Sequence, residues 1–422
     1  MVLIRNARVF DGTGSAPFQA DVLIDGERIA TVRPTTGSPP ANEPPGPSLD
    51  DADVIDAAGA TLMPGLVEAH AHLTWPSSVE RMVPGMHLPP EELALTAARN
   101  ARILIDHGFT SAYSGGALSQ KLEVYLRAQI DSGGMPGPRL IPSSIEREPP
   151  ADDGVLALGK QSDHGMGPEA IRAFVRECAG FGAKAVKFLI SGESALQPGA
   201  SHKLLYSEEE LRAAGEQARE SGIWLTGHAH ATKAVKLGVL SGFRVLYHCT
   251  YADAEGIDLL AAHRDELFVA PSVGIVQATI DAVAPPGFDM SAMKADAEVV
   301  LEHQCRLVPE LKRRGVRVLP GGDYGFPFNP LGRNARDMEL FVRLFGFTAV
   351  EALVAATKLG GQIMGMGDAL GQIKPGYLAD LLLVKGDPTR NVALLQDRAN
   401  LLAIMQGGRF HKRPPSIVGV AL

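Results

Sequence analysis

The stretch Pro64-Gly65-Leu66-Val67-Glu68-Ala69-His70-Ala71-His72 decides how the rest of the chain folds. An apolar run feeds two histidines spaced i, i+2. On a strand that spacing puts both imidazoles on one face, because side chains alternate with period two. Two imidazoles on one rigid face suit a single metal ion. Alone, the pair fits surface or hydrogen-bonded histidines better than a metal site, so its meaning depends on what other strands bring beside it.

Upstream, residues 2–9, 20–24 and 28–32 read as short strands, parted by the turn signals Asp11-Gly12-Thr13-Gly14 and Asp25-Gly26-Glu27. Residues 34–48 carry six prolines and no periodicity, the pattern of an exposed loop. Residues 54–57 and 61–63 resume strand character. Downstream the style changes. Helix-like segments at 91–107, 120–132, 168–180, 207–221, 231–241 and 295–314 alternate with short apolar runs at 109–113, 139–142, 185–190, 223–226, 244–247, 267–270 and 316–319. Ser207 with Glu210 forms a capping box. Eight strands counted from Leu66, separated by helices, predict an α/β fold: a (β/α)8 TIM-type barrel. The span from His70 to Asp323 matches the ~250 residues typical of such a barrel. After a helical 348–364 the strand style returns at 378–384 and 402–405. The expected organisation is a small composite β-sandwich domain from residues 1–62 and 366–422, with the barrel, residues 63–365, inserted into it.

Composition narrows the function. The chain has 422 residues, 45% hydrophobic and 21% charged, with a net charge of −8 and no basic cluster. That balance argues against nucleic acid as partner. No run of about 18 uncharged apolar residues predicts a membrane span. The first residues lack the apolar core and cleavage site of a signal peptide. Three cysteines, Cys178, Cys249 and Cys305, are too few for a disulfide framework and fit a reducing cytoplasm.

Active-site groups of such barrels lie where strands end, at the carboxyl-end face. His70 and His72 end the first strand, Lys187 lies within the fourth, and His228 closes the fifth with His230 two residues on. His248 closes the sixth, and Asp323 follows the eighth. Their joint placement points to one metal-binding mouth. Lys187 sits in the otherwise apolar Ala-Val-Lys-Phe-Leu-Ile. By itself it reads as a snorkelling lysine. Beside two histidine sets and an aspartate, a desolvated amine that loses its proton and takes up CO2 as a metal-bridging carbamate explains it better. Tyr247, Tyr251, Tyr324 and His230 are near enough to strand ends to touch substrate. His87, His107, His164, His202, His263, His303 and His411 have no partner pattern and read as non-functional.

These residues resemble those of the metal-dependent amidohydrolase superfamily, and within it the binuclear branch of prolidase-like and imidazolonepropionase-related enzymes. The resemblance rests on 6–12 (Asn-Ala-Arg-Val-Phe-Asp-Gly), Pro64-Gly65-Leu66 before the metal pair, 332–340 (Gly-Arg-Asn-Ala-Arg-Asp-Met-Glu-Leu) and 371–380 with Lys374-Pro375-Gly376. It implies that His70, His72 and Asp323 hold the more buried of two divalent ions. His228 and His248 would hold the second, and carboxylated Lys187 would bridge them. Zinc is the default for such donors, with iron or manganese also accommodated. Asp323 would be the proton acceptor, and a metal-bridging hydroxide would attack an amide. The implied substrate is a dipeptide, an N-acyl amino acid or a related small carboxylate-bearing amide, and homo-oligomers are common among such proteins. Two features depart from the pattern: Tyr113-Ser114-Gly115-Gly116, and Ser144 to Pro150 with Glu146 and Glu148. Both lie near the mouth and bear on specificity. They keep open an iron-dependent oxygenase or decarboxylase on the same site, and a non-catalytic scaffold is the third reading.

Overall fold

The computed structural model describes residues 1–35, 52–76, 88–149, 165–193, 199–284 and 289–414. His87, His164, Pro150 and most of the proline-rich stretch lie outside the described residues. Six strands open the chain: β1 (Val2–Val9), β2 (Phe18–Asp25), β3 (Arg28–Pro34), β4 (Asp53–Asp56), β5 (Thr61–Pro64) and β6 (Leu66–Ala71). Six more follow between helices: β7 (Phe109–Ser114), β8 (Arg139–Ile141), β9 (Ala185–Leu189), β10 (Trp224–Ala229), β11 (Val245–His248) and β12 (Phe268–Ala270). The last three are β13 (Leu381–Val384), β14 (Leu401–Gln406) and β15 (Arg409–Lys412).

Strands from both ends of the chain share one eight-stranded sheet in the order β15-β14-β13-β5-β1-β2-β3, with β4 alongside β1. The join is β5, parallel to β1 and antiparallel to β13, with Leu62 opposite Leu383. Period-two alternation gives this sheet two faces. Val9, Val22, Ile24, Leu62, Leu381 and Met405 share one core. Met63, Leu382, Val384 and Ile404 turn the other way, into the main core under the helices. With both faces covered, β13 reads Leu-Leu-Leu-Val and is buried throughout.

The middle of the chain forms parallel sheets, β6-β7-β8 and β9-β10-β11-β12. Single parallel bridges extend them: Ser143 to Ala185, Val269 to Val318, and Tyr324 back to Ala71. Helices Pro90–Asp106, Leu122–Asp131, Pro168–Gly180, Glu208–Ser221, Thr232–Leu240 and Ala254–Ala262 separate the strands. Each starts and stops for local reasons. Pro90–Asp106 has proline and two glutamates in its first turn, buries Leu93, Ala97, Ala101, Leu104 and Ile105 on one stripe, and gives way at Gly108, whose φ is +84°. Glu208–Ser221 carries the Ser207/Glu210 capping box and ends on left-handed Gly222. Strands between two layers should be continuous apolar runs. β6 and β9 are fully buried yet carry Glu68, His70 and Lys187, so these polar groups need partners.

Three expectations change. The eighth strand, 316–319, shrinks to the bridge at Val318, because Pro320-Gly321-Gly322 follows at once and offers neither a regular strand nor, at Pro320, a ladder donor. The helical 348–364 divides into Ala349–Ala356 and Lys358–Ile363 at Thr357, whose φ, ψ of −119°, −77° interrupts the helix. Helices Ala254–Ala262, Val273–Asp281 and Arg336–Phe345 went unpredicted.

Two measurements test this packing. A Cβ at Gly65, between β5 and β6, would overlap Thr110 Oγ1. Gly65→Ala is therefore expected to destabilise by about 1–3 kcal/mol, read as a lower denaturant midpoint. Glu123 is fully buried and its Oε2 accepts the Ser143 N–H at 2.9 Å. Burial, opposed by hydrogen bonds from Ser114 and Ser143, pushes its carboxyl up to about 8. The folded protein thus keeps it protonated where the unfolded chain ionises. Its contribution is full below the ordinary carboxylate range and is lost as pH rises through about 8. Wild type should lose stability relative to Glu123→Gln between pH 5 and 8, by up to about 1.4 kcal/mol per pH unit, in denaturation curves at each pH.

Candidate metal centre

Polar side chains converge where the parallel strands end. β6 delivers His70 and, one step past its end, His72. β9 delivers Lys187, and β10 delivers His228 and then His230. β11 ends in His248, and Asp323 follows the Val318 bridge. All seven side chains are buried. They form two ligand-capable sets, His70/His72/Asp323 and Glu193/His228/His230/His248. Within each set the nitrogen and oxygen atoms lie within 4.8 Å of one another. The sets adjoin: the His70 and His248 rings are 5.9 Å apart.

In the first set, His72 Nε2 lies 3.0 Å and His70 Nε2 3.9 Å from Asp323 Oδ1. Outer partners fix the tautomers. His70 Nδ1 meets Ser272 Oγ at 2.9 Å, and that hydroxyl donates to Ala270 O, so Nδ1 carries the proton. His72 Nδ1 donates to Gly116 O at 3.2 Å. Both Nε2 atoms then face the carboxylate, an arrangement that suits a shared cation. The rings are held flat against neighbours, His70 stacked 3.5 Å from Tyr247 and His72 3.9 Å from Trp75. A Cβ on Gly115 would overlap His70, which is why the departing Ser114-Gly115-Gly116 turn can lie so close.

In the second set, the rings of His228 and His230 lie 4.4 and 4.2 Å from that of His248. His230 Nδ1 bonds Thr250 Oγ1 at 2.8 Å. Lys187 Nζ donates to Gly115 O at 2.7 Å and lies 3.4 Å from His70 Nε2 and 3.9 Å from Glu146 Oε2.

Burial dominates the electrostatics. It holds His70 and His248 well below the ordinary histidine range and pulls His228 down to about 3, with neighbouring cations adding to the effect. Burial also lowers the Lys187 ammonium, against the pull of Glu146 and Asp323. Neutral imidazoles are metal ligands. Both nitrogens of His248, Nε2 of His230 and Oδ1 of Asp323 are buried with no hydrogen-bond partner among the described residues. Such orphaned lone pairs fit divalent cations. The backbone is strained here as well. His248, Ser272 and Asp323 have φ of 68°, 58° and 58°, a region that side chains other than glycine occupy at a cost of ~1–3 kcal/mol.

Residues 61–410 match the amidohydrolase family. The chain belongs to the amidohydrolase family. It is accordingly an enzyme, a hydrolase acting on C–N bonds. An ochratoxinase from Aspergillus niger is 23% identical over 376 residues, 84% of this chain and 76% of the relative. An imidazolonepropionase from Rubrobacter xylanophilus is 24% identical over 432 residues, 92% of this chain and 90% of the relative. A crystal structure of a Xaa-Pro dipeptidase with bound methionine superposes with a TM-score of 0.82 at 23% identity, over 97% of this chain and 99% of that one.

Against this amidohydrolase background, the fate of each expected residue is clear. His70, His72, Lys187, His228, His230, His248 and Asp323 come together. Two of the three tyrosines expected at the substrate, Tyr247 and Tyr324, turn their hydroxyls elsewhere. Tyr247 donates its hydroxyl to Ala69 O at 3.0 Å, and Tyr324 donates to Asp337 Oδ1 at 2.7 Å, both fully buried. They hold strand ends. His202 stacks on Tyr251 at 4.2 Å, near the mouth, although no sequence pattern marked it.

Several supporting residues went unread. Glu193 belongs to the second set. Glu146, from one of the departing segments, places Oε1 3.4 Å from His72 Nδ1. Glu68 Oε1 accepts the His70 N–H, and its Oε2 accepts from Asn334 Nδ2 at 2.7 Å. Asp337 accepts the Gly321 N–H just before Asp323. Asn334 and Asp337 lie in the quoted 332–340 segment, which was the available signal. Removing the Asn334 amide leaves the buried Glu68 carboxyl without that partner. Asn334→Ala should cost ~1–3 kcal/mol in thermal or denaturant unfolding. It should also weaken metal binding by ~10–100-fold through the slackened His70, read by chelator competition.

Proposed function

We propose that the chain hydrolyses the amide bond of a small, apolar-substituted substrate at a binuclear metal site. The site lies at the carboxyl-end mouth of a (β/α)8 barrel, residues 63–365, set into a composite β domain from residues 1–62 and 366–422. The ring of parallel pairings and single bridges from β6 round to Ala71–Tyr324 supports the barrel. The observation that carries the function is the pair of ligand sets, with their orphaned lone pairs, opening on one cavity. His230, His248, Glu193, Asp323, Asp296 and Thr279 form its polar side; Ile275, Val276, Met293, Ala297, Val300 and Phe326 form its apolar wall.

His70, His72 and Asp323 would hold one ion, and His228 and His248 the other. Zinc suits these nitrogen and carboxylate donors. When bound, two such ions lower the pKa of water to roughly 7 and polarise a carbonyl. Lys187, its ammonium destabilised by burial, can release a proton and add CO2 as a carbamate, Lys–NH2 + CO2 giving Lys–NH–COO⁻ and a proton. Asp323, at the open side of the first set, takes the proton of the attacking water and delivers it to the leaving amine. The apolar wall excludes water and holds the substrate's side chain against the site. The names of the relatives that span most of the chain, ochratoxinase, imidazolonepropionase and Xaa-Pro dipeptidase, favour hydrolysis over oxygen chemistry and bring dipeptides and N-acyl amino acids forward as substrates.

Dialysis against a chelator should abolish hydrolysis of a panel of N-acyl amino acids and dipeptides, and zinc should restore it. Asp323→Asn should lower kcat on the best substrate by ~10²–10⁴-fold. Oxygen uptake by an iron-loaded sample with no amide cleavage would sink the proposal.

A further inference from the structure

Trp75 stands where the metal mouth meets the apolar cavity. Its ring lies 3.9 Å from that of His72, stacked at 26°, and 4.6 Å from that of Phe326, edge-on at 90°. Phe326 lines the cavity beside Asp323 and packs with Ile275, Val276, Ala297 and Val300. The turn after Asp323 is drawn tight against the same indole. Gly325 N–H donates to Asn329 O at 2.9 Å, and Asn329 Nδ2 donates to Gly322 O and Asp323 O at 2.9 and 3.0 Å. Gly325 has a φ of +140°, and a Cβ there would stand 3.0 Å from Trp75 Cβ, so glycine lets this turn lie on Trp75. The backbone of Trp75 is held as well. Its N–H donates to His72 O at 3.4 Å, and its carbonyl accepts from Asn100 Nδ2 at 2.9 Å. One side chain thus touches His72, the loop that carries Asp323, and the cavity wall.

Trp75 differs from ordinary core packing in one respect. It is 3% exposed, and its Nε1 has no hydrogen-bond partner among the described residues. A buried indole usually finds an acceptor for that N–H. Here the flat ring is kept although its donor goes unpaired, and breaches of this kind concentrate at working sites.

Resting on the hydrolytic reading of the site, we propose that Trp75 is a positioning residue that ties the substrate's apolar group to the first metal set. A substituent seated against Phe326 bears on the edge of the indole. The face of the indole steadies the His72 ring, and its flank steadies the Asp323 loop, the two groups whose Nε2 and Oδ1 lie 3.0 Å apart. Contact made far from the scissile bond is thereby used to orient the reacting groups. The site selects amides with a bulky apolar substituent through kcat rather than through KM alone.

The test compares the best-cleaved N-acyl amino acid with an apolar side chain and its glycine counterpart, on the full-length zinc-loaded protein. Wild type should favour the apolar substrate in kcat by ~10-fold or more. Trp75→Leu should bring that kcat ratio to about one while the KM ratio moves by less than about threefold. Trp75→Phe keeps a flat ring and should restore most of the preference. A ring kept only for packing would lower kcat on both substrates by one factor, and that result, or a change carried by KM, overturns the proposal. Binding is read apart from turnover. In Trp224→Phe, Trp75 is the sole tryptophan, so its emission reports on this junction alone. Zinc and then L-phenylalanine should each change that emission, and glycine should not. Zinc affinity by chelator competition should fall ~10–100-fold in Trp75→Leu and recover in Trp75→Phe. Circular dichroism checks the fold of each variant; should Trp75→Leu fail to fold, the emission of Trp224→Phe decides. Emission unmoved by L-phenylalanine overturns the inference and leaves the hydrolytic reading standing. No cleavage of any N-acyl amino acid or dipeptide by zinc-loaded wild type overturns both.

Discussion

Burial holds the imidazoles of His70, His228 and His248 uncharged at one mouth, because crowding protonated rings this close would be prohibitive. Desolvation strips their protons, and so creates a cluster of lone pairs beside His72 and His230. Lys187 adds a destabilised amine beside them, and Asp323 and Glu193 add negative charge. Everything else near the mouth follows from keeping this arrangement from collapsing on itself.

That work falls to groups that never reach the cavity. Ser272 and Gly116 O take up Nδ1 protons and Thr250 Oγ1 bonds His230 Nδ1; Tyr247 supports His70 with its ring and Ala69 with its hydroxyl. Glu68 and Asp337 are buried carboxyls pushed up to about 8 and 6, each tied into the backbone at or just before a residue of the first set, His70 and Asp323. Helix Pro90–Asp106 contributes at a distance: Asn100 Nδ2 donates to both Leu73 O and Trp75 O at 2.9 Å, pinning the loop that carries the ring stacked on His72. The left-handed backbone at His248, Ser272 and Asp323 persists because so many fixed neighbours surround it.

How much of this the sequence disclosed depends on the kind of signal. Period two placed His70 and His72 on one face. Alternation of strand and helix patterns placed Lys187, His228, His248 and Asp323 at neighbouring strands. Capping chemistry located the start of Glu208–Ser221. Glu193 stayed hidden, and Glu146 was read only as part of a departing loop near the mouth, because both sit on connections, where no periodicity operates and an acidic residue looks like solvent-facing polarity. Tyr247 and Tyr324 misled for the opposite reason: nearness to a strand end says nothing about which way a hydroxyl turns. Helix Val273–Asp281 was missed because most of it is buried, which erases the polar face that marks an amphipathic helix. The eighth strand was over-read from its apolar residues, since only the following Pro-Gly-Gly limits its ladder to one bridge.

Strand β5 has a consequence for how the chain acquires its structure. Its hydrogen-bonding edge toward β13 can be filled only after everything from His70 to Ile363 has been threaded between them. Until Leu383 reaches Leu62, Thr61–Pro64 is an apolar edge strand, open to any other chain that offers a partner. Pairing over so long a loop is slow and exposes intermediates to association. Capture of this edge completes the sheet next to Pro64-Gly65, the link into the strand that carries His70. Assembly of the outer sheet and orientation of His70 and His72 are thereby bound to one late event.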